Sequence, residues 1–154
     1  MKLDPIFTVK ENKLYKIADN SPVDVAALKK FEILWSQVEL EPESYNEEFL
    51  ANLREELKAL EAAGTFAIIV PKIDKSLQNA EETELFINAF NHCARRIKDC
   101  TSVAGFELPA ELTKNGFAED SDAQAFIDAL AKKHAQYVYF SAAAEAVPAT
   151  IVKY

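Results

Sequence analysis

The sequence SVAGFELPAEL, residues 102–112, decides the fold of this chain. It predicts a buried strand over residues 103–108, with a carboxylate, Glu111, just past the carboxyl end of the strand. In α/β proteins the strand ends and the loops that follow them form the functional face. The stretch therefore indicates a fold class and a candidate site together.

Strand-like and helix-like segments alternate on both sides of this stretch. The run FAIIV is continuously apolar, as in strands buried on both faces of a parallel sheet. The whole pattern predicts strands near residues 31–35, 66–70, 103–108 and 137–140, and helices at residues 46–63, 81–98 and 121–134. Such alternation implies right-handed βαβ crossovers, so we expect an α/β fold with a mainly parallel sheet of four to five strands.

The two ends of the chain carry further β-prone segments. Residues 6–9 and 13–17 flank a turn and predict an N-terminal β-hairpin, and residues 147–152 supply a candidate edge strand. No linker or repeat separates the segments. We therefore expect a single α/β domain over residues 1–154, with the hairpin and its loop at 1–22 and the βα repeats at 23–154.

Composition and charge exclude several classes of partner. The 154 residues carry a net charge of −8, which argues against nucleic acid and anionic membrane surfaces, because both need basic patches. The N-terminus lacks the apolar run of a signal peptide, and no run of residues reaches the length of a membrane span. We therefore expect a cytoplasmic protein.

The histidines and cysteines indicate neither a metal site nor a disulfide. His92 and His134 have no cysteine or carboxylate partners at metal-ligand spacing, and the three glycines form no phosphate-binding motif. Cys93 and Cys100, the only cysteines, are predicted to be buried thiols. No cofactor and no metal are expected.

Residues 105–112, GFELPAEL, resemble the fourth strand of glycoside hydrolase family 5 (cellulase-like) barrels, which runs Gly-Phe/Tyr-Glu-Leu-x-Asn-Glu-Pro. Residues 35–50, WSQVELEPESYNEEFL, are similar to the second-strand motif of that family, a Trp followed by a Glu-Pro turn, a Tyr-Asp/Asn pair and a helix. The predicted hairpin resembles the one that plugs the bottom of such barrels. The resemblance covers about residues 6–112 and implies a half-TIM-barrel-like fold corresponding to the N-terminal half of the barrel.

The resemblance also implies a catalytic candidate, Glu111, which matches the acid/base of the family. Two neighbours depart from the motif. Ala110 replaces an Asn whose amide bonds the sugar 2-hydroxyl, and Leu112 replaces the Pro. A complete βα barrel usually needs about 250 residues, so we do not expect these 154 residues to reach the seventh strand, which carries the nucleophile of the family.

Four further residues are candidates for ligand binding. Glu145 follows the last predicted strand and is a second carboxylate. Glu107 lies within the strand and needs a partner if it is buried, for which Lys72 is available. Trp35 and Tyr45 are placed to stack on a sugar ring. Each carboxylate has a structural alternative as a helix cap or a solvated side chain, and each aromatic residue has the alternative of local packing.

Three functions fit these observations. The first is a non-catalytic, glycosidase-like half barrel, a pseudoenzyme that acts in binding or assembly, with carbohydrate as its candidate ligand. Half a barrel exposes two sheet edges and an inner apolar face, so we expect a homodimer. The second is a residual glycoside hydrolase whose site, with Glu111 as acid/base, is shared across the dimer. The third is an open α/β domain that binds a small ligand at its strand ends.

Overall fold

Within residues 3–143 and 146–154, the part of the chain that the computed structural model describes, five parallel strands form one sheet. The described residues contain further strands outside this sheet. In chain order, all the strands are β1 (Phe7–Lys10), β2 (Lys13–Lys16), β3 (Lys29–Leu34), β4 (Glu39–Glu41), β5 (Ser44–Tyr45), β6 (Ala67–Lys72), β7 (Val103–Glu107), β8 (Val138–Ser141) and β9 (Val152–Lys153). The α-helices are α1 (Trp35–Val38), α2 (Glu47–Ala63), α3 (Ala80–Arg96), α4 (Ala110–Thr113) and α5 (Asp122–Ala131). β1 and β2 form an antiparallel hairpin, as do β4 and β5.

The sheet is wound in one direction. Its order is β3-β6-β7-β8-β9, and every neighbouring pair is parallel. Because βαβ crossovers are right-handed, the crossover helices α2, α3 and α5 lie on one face of the sheet. A strand order that never reverses is the arrangement of βα barrels, whereas doubly wound sheets reverse it. The predicted α/β class, the parallel sheet and the N-terminal hairpin are confirmed.

Each crossover helix begins at a side chain that satisfies a free main-chain donor. Asn46, Asn79 and Ser121 each accept a hydrogen bond from the N–H three residues further along the chain. At the other end of α2, Gly64 adopts the left-handed backbone with φ 74°, which closes the helix. These local signals fix the positions at which the helices start and stop relative to the sheet.

One face of the sheet packs against the helices. Ile69 of β6 and Phe106 of β7 are fully buried with Leu57, Phe90 and Phe126, one residue from each crossover helix. The Phe106 and Phe126 rings meet edge to face, with 6.4 Å between their centroids. This layer holds the larger of the two apolar clusters.

The opposite face of the sheet packs against the N-terminal hairpin. Phe7 of β1 and Leu14 of β2 are buried with Ile68, Val138 and Phe140, which belong to the second apolar cluster. In a barrel this face would be the interior. The hairpin, rather than a second subunit, therefore covers this part of the inner face.

The turn of the hairpin is tied to the end of the sheet. Asn12 has φ 67°, and its Nδ2 donates to the carbonyl oxygens of Pro148 at 2.7 Å and Ile151 at 2.8 Å. Its main-chain N–H donates to the Ala149 carbonyl at 3.0 Å, and the Lys153 N–H donates to the Asn12 carbonyl at 3.1 Å. These hydrogen bonds hold the hairpin over β8 and β9.

Some element boundaries differ from the predictions. The strand expected to reach residue 35 ends at Leu34, because Gln37 Oε1 accepts a hydrogen bond from the Leu34 N–H at 2.8 Å and turns the chain into α1. The strand predicted near residues 66–70 extends to Lys72, so that Pro71 lies inside β6. The edge strand expected over residues 147–152 is reduced to β9, since the carbonyls of Pro148 and Ala149 bond to Asn12 instead.

Gly105 marks the closest approach of β7 and β8. It lies opposite Val138 in the parallel register, and a Cβ added to it would lie 1.6 Å from the Val138 carbonyl oxygen. The register between β6 and β7 shifts beside it, because Ala67 pairs with Val103 and Ile68 with Gly105, which leaves Ala104 as an extra residue. A side chain at this position would separate the two strands.

Gly105→Ala is expected to lower the free energy of unfolding by about 3 kcal/mol, because the methyl group overpacks the contact between β7 and β8. Gly64→Ala is the matched control. Its Cβ meets no atom within 4 Å, so it should cost only about 1 kcal/mol, from the left-handed backbone. Urea unfolding of both variants measures the difference, and equal losses would show that the strands can separate at little cost.

Candidate functional site

The carboxyl ends of β6, β7 and β8 enclose a cleft of about 290 Å³, which we call the strand-end cleft. Parallel strands present their carboxyl ends at the same edge of a sheet, so the residues that follow them meet here. Its lining residues are Pro71, Lys72, Ile73, Glu107, Leu108, Pro109, Ala110, Glu111, Ala142 and Ala143. Two of the predicted site residues, Glu107 and Glu111, are therefore brought together in one cleft.

Glu107 is engaged by two side chains on the inner face of the sheet. The Tyr154 hydroxyl donates a hydrogen bond to Glu107 Oε1, and Lys30 Nζ lies 4.0 Å from the same oxygen. Lys30 Nζ also lies 4.1 Å from the centroid of the Tyr154 ring, close enough for a cation–π contact. The Glu107 side chain is only 14% exposed, so these contacts stabilise a carboxylate that is largely removed from water.

Lys72, which the sequence made available as a partner for Glu107, pairs with a different carboxylate. Lys72 Nζ lies 3.3 Å from Oε2 of Glu32, on the neighbouring strand β3. Both of these side chains are substantially exposed, so the pair contributes about 1 kcal/mol at most. The sequence gives no sign of Tyr154 as the partner of Glu107, because 47 residues separate the two.

Glu111 lies at the rim of the strand-end cleft and is exposed. It belongs to the first turn of the four-residue helix α4, where a negative charge is favourable. It also lines a second, more open groove of about 590 Å³ on its other side, together with Lys75, Lys114 and Asp122. Its carboxylate can therefore be approached from two directions.

Trp35 is a core side chain. It is 2% exposed, its ring lies edge to face against Phe86 at 5.4 Å, and its Nε1 donates to Glu39 Oε1 at 2.9 Å. Glu39, 1% exposed, also accepts from the Glu43 N–H at 2.9 Å, and Lys75 Nζ donates to its main-chain carbonyl at 2.7 Å. The buried carboxylate fixes the β4–β5 hairpin to α1, a role that sequence reasoning missed.

Tyr45 lies against α3 and outside the strand-end cleft. Its ring stacks on His92, with 4.2 Å between the centroids and 15° between the planes. His92 Nε2 and Arg96 Nε each lie 2.9 Å from a Glu47 carboxylate oxygen, and the Arg96 hydrogen bond is the main cause that lowers the pKa of Glu47. Burial raises the pKa of Tyr45. Tyr45 therefore takes part in an inter-helix cluster.

The remaining candidates are a carboxylate and two thiols. Glu145 lies outside the described residues. Cys93 and Cys100 are buried and free, as predicted, and burial raises their pKa values to about 12 and about 11. Both thiols are therefore protonated near neutral pH and are poor nucleophiles. The described residues contain no group of three or more His, Cys, Asp or Glu side chains that could hold a metal ion.

Several solved structures share this fold at low sequence identity. Endoglucanase Cel5A from Pseudomonas stutzeri has a TM-score of 0.63 and 16% identity, covering 82% of this chain and 47% of that chain. Endo-glycoceramidase II from Rhodococcus sp. has a TM-score of 0.58 and 12% identity, with coverages of 92% and 49%. The fold is that of about half of a family 5 glycoside hydrolase barrel. A GH5_18 protein from Bifidobacterium longum subsp. infantis has a TM-score of 0.53 and 11% identity, with coverages of 73% and 33%.

The half-barrel fold that the resemblance at GFELPAEL implied is confirmed. This chain spans less than half the length of each of these three structures. No family model and no curated protein matches its sequence. Among the helices that the structure describes, none combines the length and the apolar character needed to cross a bilayer.

Alkaline pH is expected to destabilise the domain. Burial is the main cause that raises the pKa values of Tyr137, Tyr139 and Tyr154, and among the described residues the hydroxyls of Tyr137 and Tyr139 have no hydrogen-bond partner. Above about pH 10 the unfolded chain releases phenolic protons that the folded domain retains, so the free energy of unfolding falls as pH rises. Each fully buried phenol contributes a slope of about 1.4 kcal/mol per pH unit.

Urea unfolding at several pH values between about 9 and 11 measures this slope. Tyr137→Phe should make it shallower by the contribution of one phenol, and should be tolerated at neutral pH because the hydroxyl forms no hydrogen bond within the described residues. A free energy of unfolding that stays constant over this range would contradict the prediction.

Proposed function

We propose that this chain is a non-catalytic, glycosidase-like domain that acts in binding or assembly. The observation that carries the proposal is the state of the two carboxylates that line the strand-end cleft. Glu107 is bound by Tyr154 and Lys30, which leaves Glu111 as the free carboxylate of the described lining. Glycoside hydrolysis by either standard route uses two carboxyl groups, one on each side of the scissile bond.

The identity of the neighbouring residue supports the same proposal. At the position where the resembling enzymes have an Asn that bonds the sugar 2-hydroxyl, this chain has Ala110, whose side chain offers no donor. A single acid/base group contributes typically about 10²- to 10⁴-fold, against the 10⁶-fold or more of most enzymes. The cleft is therefore better suited to holding a small polar ligand, with carbohydrate as the candidate, than to cleaving one.

Assembly is supported by the free edge of the sheet. β3 pairs with β6 on one side, and no described strand pairs with its other side. Its last residue, Leu34, is an apolar side chain that is 39% exposed. Unpaired edges of this kind associate readily, and two-fold symmetry is the commonest form of such association. We infer a homodimer that meets at the β3 edge.

The two thiols support a cytoplasmic location. Cys93 and Cys100 are both free in the structure, and disulfides are rare in the reducing compartments of the cell. A cytoplasmic setting keeps such thiols reduced. We therefore include this location in the proposal.

A second candidate function rests on the exposure of Glu111. Because this carboxylate lies at the rim of two clefts, a second subunit could bring its own carboxylate to the same place. The chain would then be a residual glycoside hydrolase with a site shared across the dimer, and Glu111 would be the acid/base. The activity assay below separates this function from the first.

The purified protein is expected to show no hydrolysis of activated aryl glycosides above the background rate, over a panel of several sugars. Glu111→Gln should give the same result as the unmodified chain, and Glu107→Gln is its matched control in the same cleft. Turnover that disappears in Glu111→Gln would refute the non-catalytic proposal and favour the shared-site hydrolase. Turnover that survives this substitution would refute it as well and would place the chemistry elsewhere.

The protein is expected to be a dimer at micromolar concentration in analytical ultracentrifugation. Leu34→Lys should shift it toward the monomer by placing a charge on the free edge. Ile17→Lys, which changes an exposed apolar residue that follows the hairpin, should leave the dimer intact. A monomer at high micromolar concentration, or equal effects of the two substitutions, would contradict association through β3.

A further inference from the structure

The three arginines of the sequence, Arg54, Arg95 and Arg96, line one groove although they belong to two different helices. The groove, which we call the basic groove, has a volume of about 550 Å³ and is also lined by Lys58, Lys98 and Asp99. It thus presents five cations and a single carboxylate in a chain whose net charge is −8. Such clustering is not expected from composition.

The basic groove lies far from the strand-end cleft along the sheet. α3 ends at Arg96, and Lys98 and Asp99 belong to the connection that leads into the amino end of β7. The strand-end cleft is built at the carboxyl end of the same strand. An interaction at the basic groove is therefore independent of the function proposed for the strand-end cleft.

Part of the groove is neutralised by internal ion pairs. Arg54 binds Asp99 through both Nε and Nη2, and this contact is the main cause that lowers the pKa of Asp99. Lys58 Nζ lies 3.3 Å from Glu61 Oε2 within α2 and donates to the Asp99 carbonyl at 2.7 Å. Arg96 Nε, on α3, lies 2.9 Å from Glu47 Oε1 on α2. These three cations link α2 to its neighbours and account for the structural role of the cluster.

Arg95 and Lys98 have no such role. Both side chains are exposed, and neither forms a hydrogen bond or an ion pair within the described residues. Arg95 lies in the last turn of α3, where a cation favours the helix, but Lys98 lies beyond the helix end. Arg95 and Lys98 are therefore unpaired cations in the same groove as Arg54, whose guanidinium binds the Asp99 carboxylate through two nitrogens.

We propose that the basic groove binds an acidic peptide segment of a partner protein. In the Arg54–Asp99 pair a planar guanidinium binds a carboxylate through two N–H groups. The exposed Arg95 guanidinium can bind a carboxylate of the partner peptide in the same two-point geometry. Half-buried Leu3 at the groove wall and the alkyl stems of the cations add apolar contact for the rest of a peptide.

The charge of the whole chain favours a short acidic segment over an extended polyanion. At physiological ionic strength, interactions between exposed charges are largely screened beyond a Debye length of about 8 Å. A peptide confined to the groove therefore meets the two unpaired cations, Arg95 and Lys98, whereas a long polyanion extends over a chain whose net charge is −8 and is repelled. This distinguishes the proposed ligand from nucleic acid.

The test is the binding of a fluorescein-labelled hexaglutamate peptide to the full chain, followed by fluorescence anisotropy at low and at physiological ionic strength. The double variant Arg95→Gln/Lys98→Gln should bind about tenfold more weakly, the loss expected for two exposed charge pairs. Lys132→Gln/Lys133→Gln removes the same charge outside the groove and should change the affinity less than about twofold.

Both double variants should retain the urea unfolding midpoint of the unmodified chain, which excludes unfolding as the cause of any loss. Equal weakening in the two variants, or no binding to the unmodified chain, would overturn the proposal. Competition with inorganic phosphate and with a thymidine oligonucleotide completes the test. If either displaces the peptide more effectively than unlabelled hexaglutamate does, the groove is not a peptide site.

Discussion

A parallel sheet must bury both of its faces, and the rest of this structure depends on how that is achieved. The helices α2, α3 and α5 cover one face because every crossover has the same hand. The other face would lie inside a closed barrel, and here the N-terminal hairpin covers it with Phe7 and Leu14. The hydrogen bonds of Asn12 to the segment before β9 hold that cover in place. Two separate apolar clusters result, one on each side of the sheet.

The inner face of the sheet carries polar side chains beside apolar ones. In the parallel register Lys30 lies opposite Ile68 and Glu107 opposite Phe140, and Tyr154 follows β9. A largely buried carboxylate requires a donor and a cation, and Tyr154 and Lys30 supply them. Glu107 is thereby stabilised as part of the structure. The chemical character of the strand-end cleft then depends on Glu111, whose side chain forms no hydrogen bond or ion pair with the described residues.

Charge is distributed unevenly over the molecule. The strand-end cleft combines carboxylates with Lys72, while the cations around α2 and α3 gather in the basic groove. Internal ion pairs use Arg54, Lys58 and Arg96 to join α2 to Asp99 and to α3, and they leave Arg95 and Lys98 exposed. The fold thus offers two chemically different surfaces, one at each end of β7. A partner at one of them need not disturb the other.

The sequence by itself determined the parallel α/β architecture, because apolar runs, helical periodicity and capping residues are local signals. It also placed Glu107 and Glu111 at one strand end, since Glu107 ends the strand and Glu111 follows it. Tertiary structure alone decided the partners of these residues. Tyr154 reaches Glu107 only after β9 joins the sheet, and Lys72 pairs with Glu32 across neighbouring strands. Trp35 is buried in the core, where Glu39 accepts its N–H. The sequence likewise did not predict that the three arginines, which lie on two helices, line one groove. Contacts between distant segments depend on helix packing and leave no local pattern in the sequence.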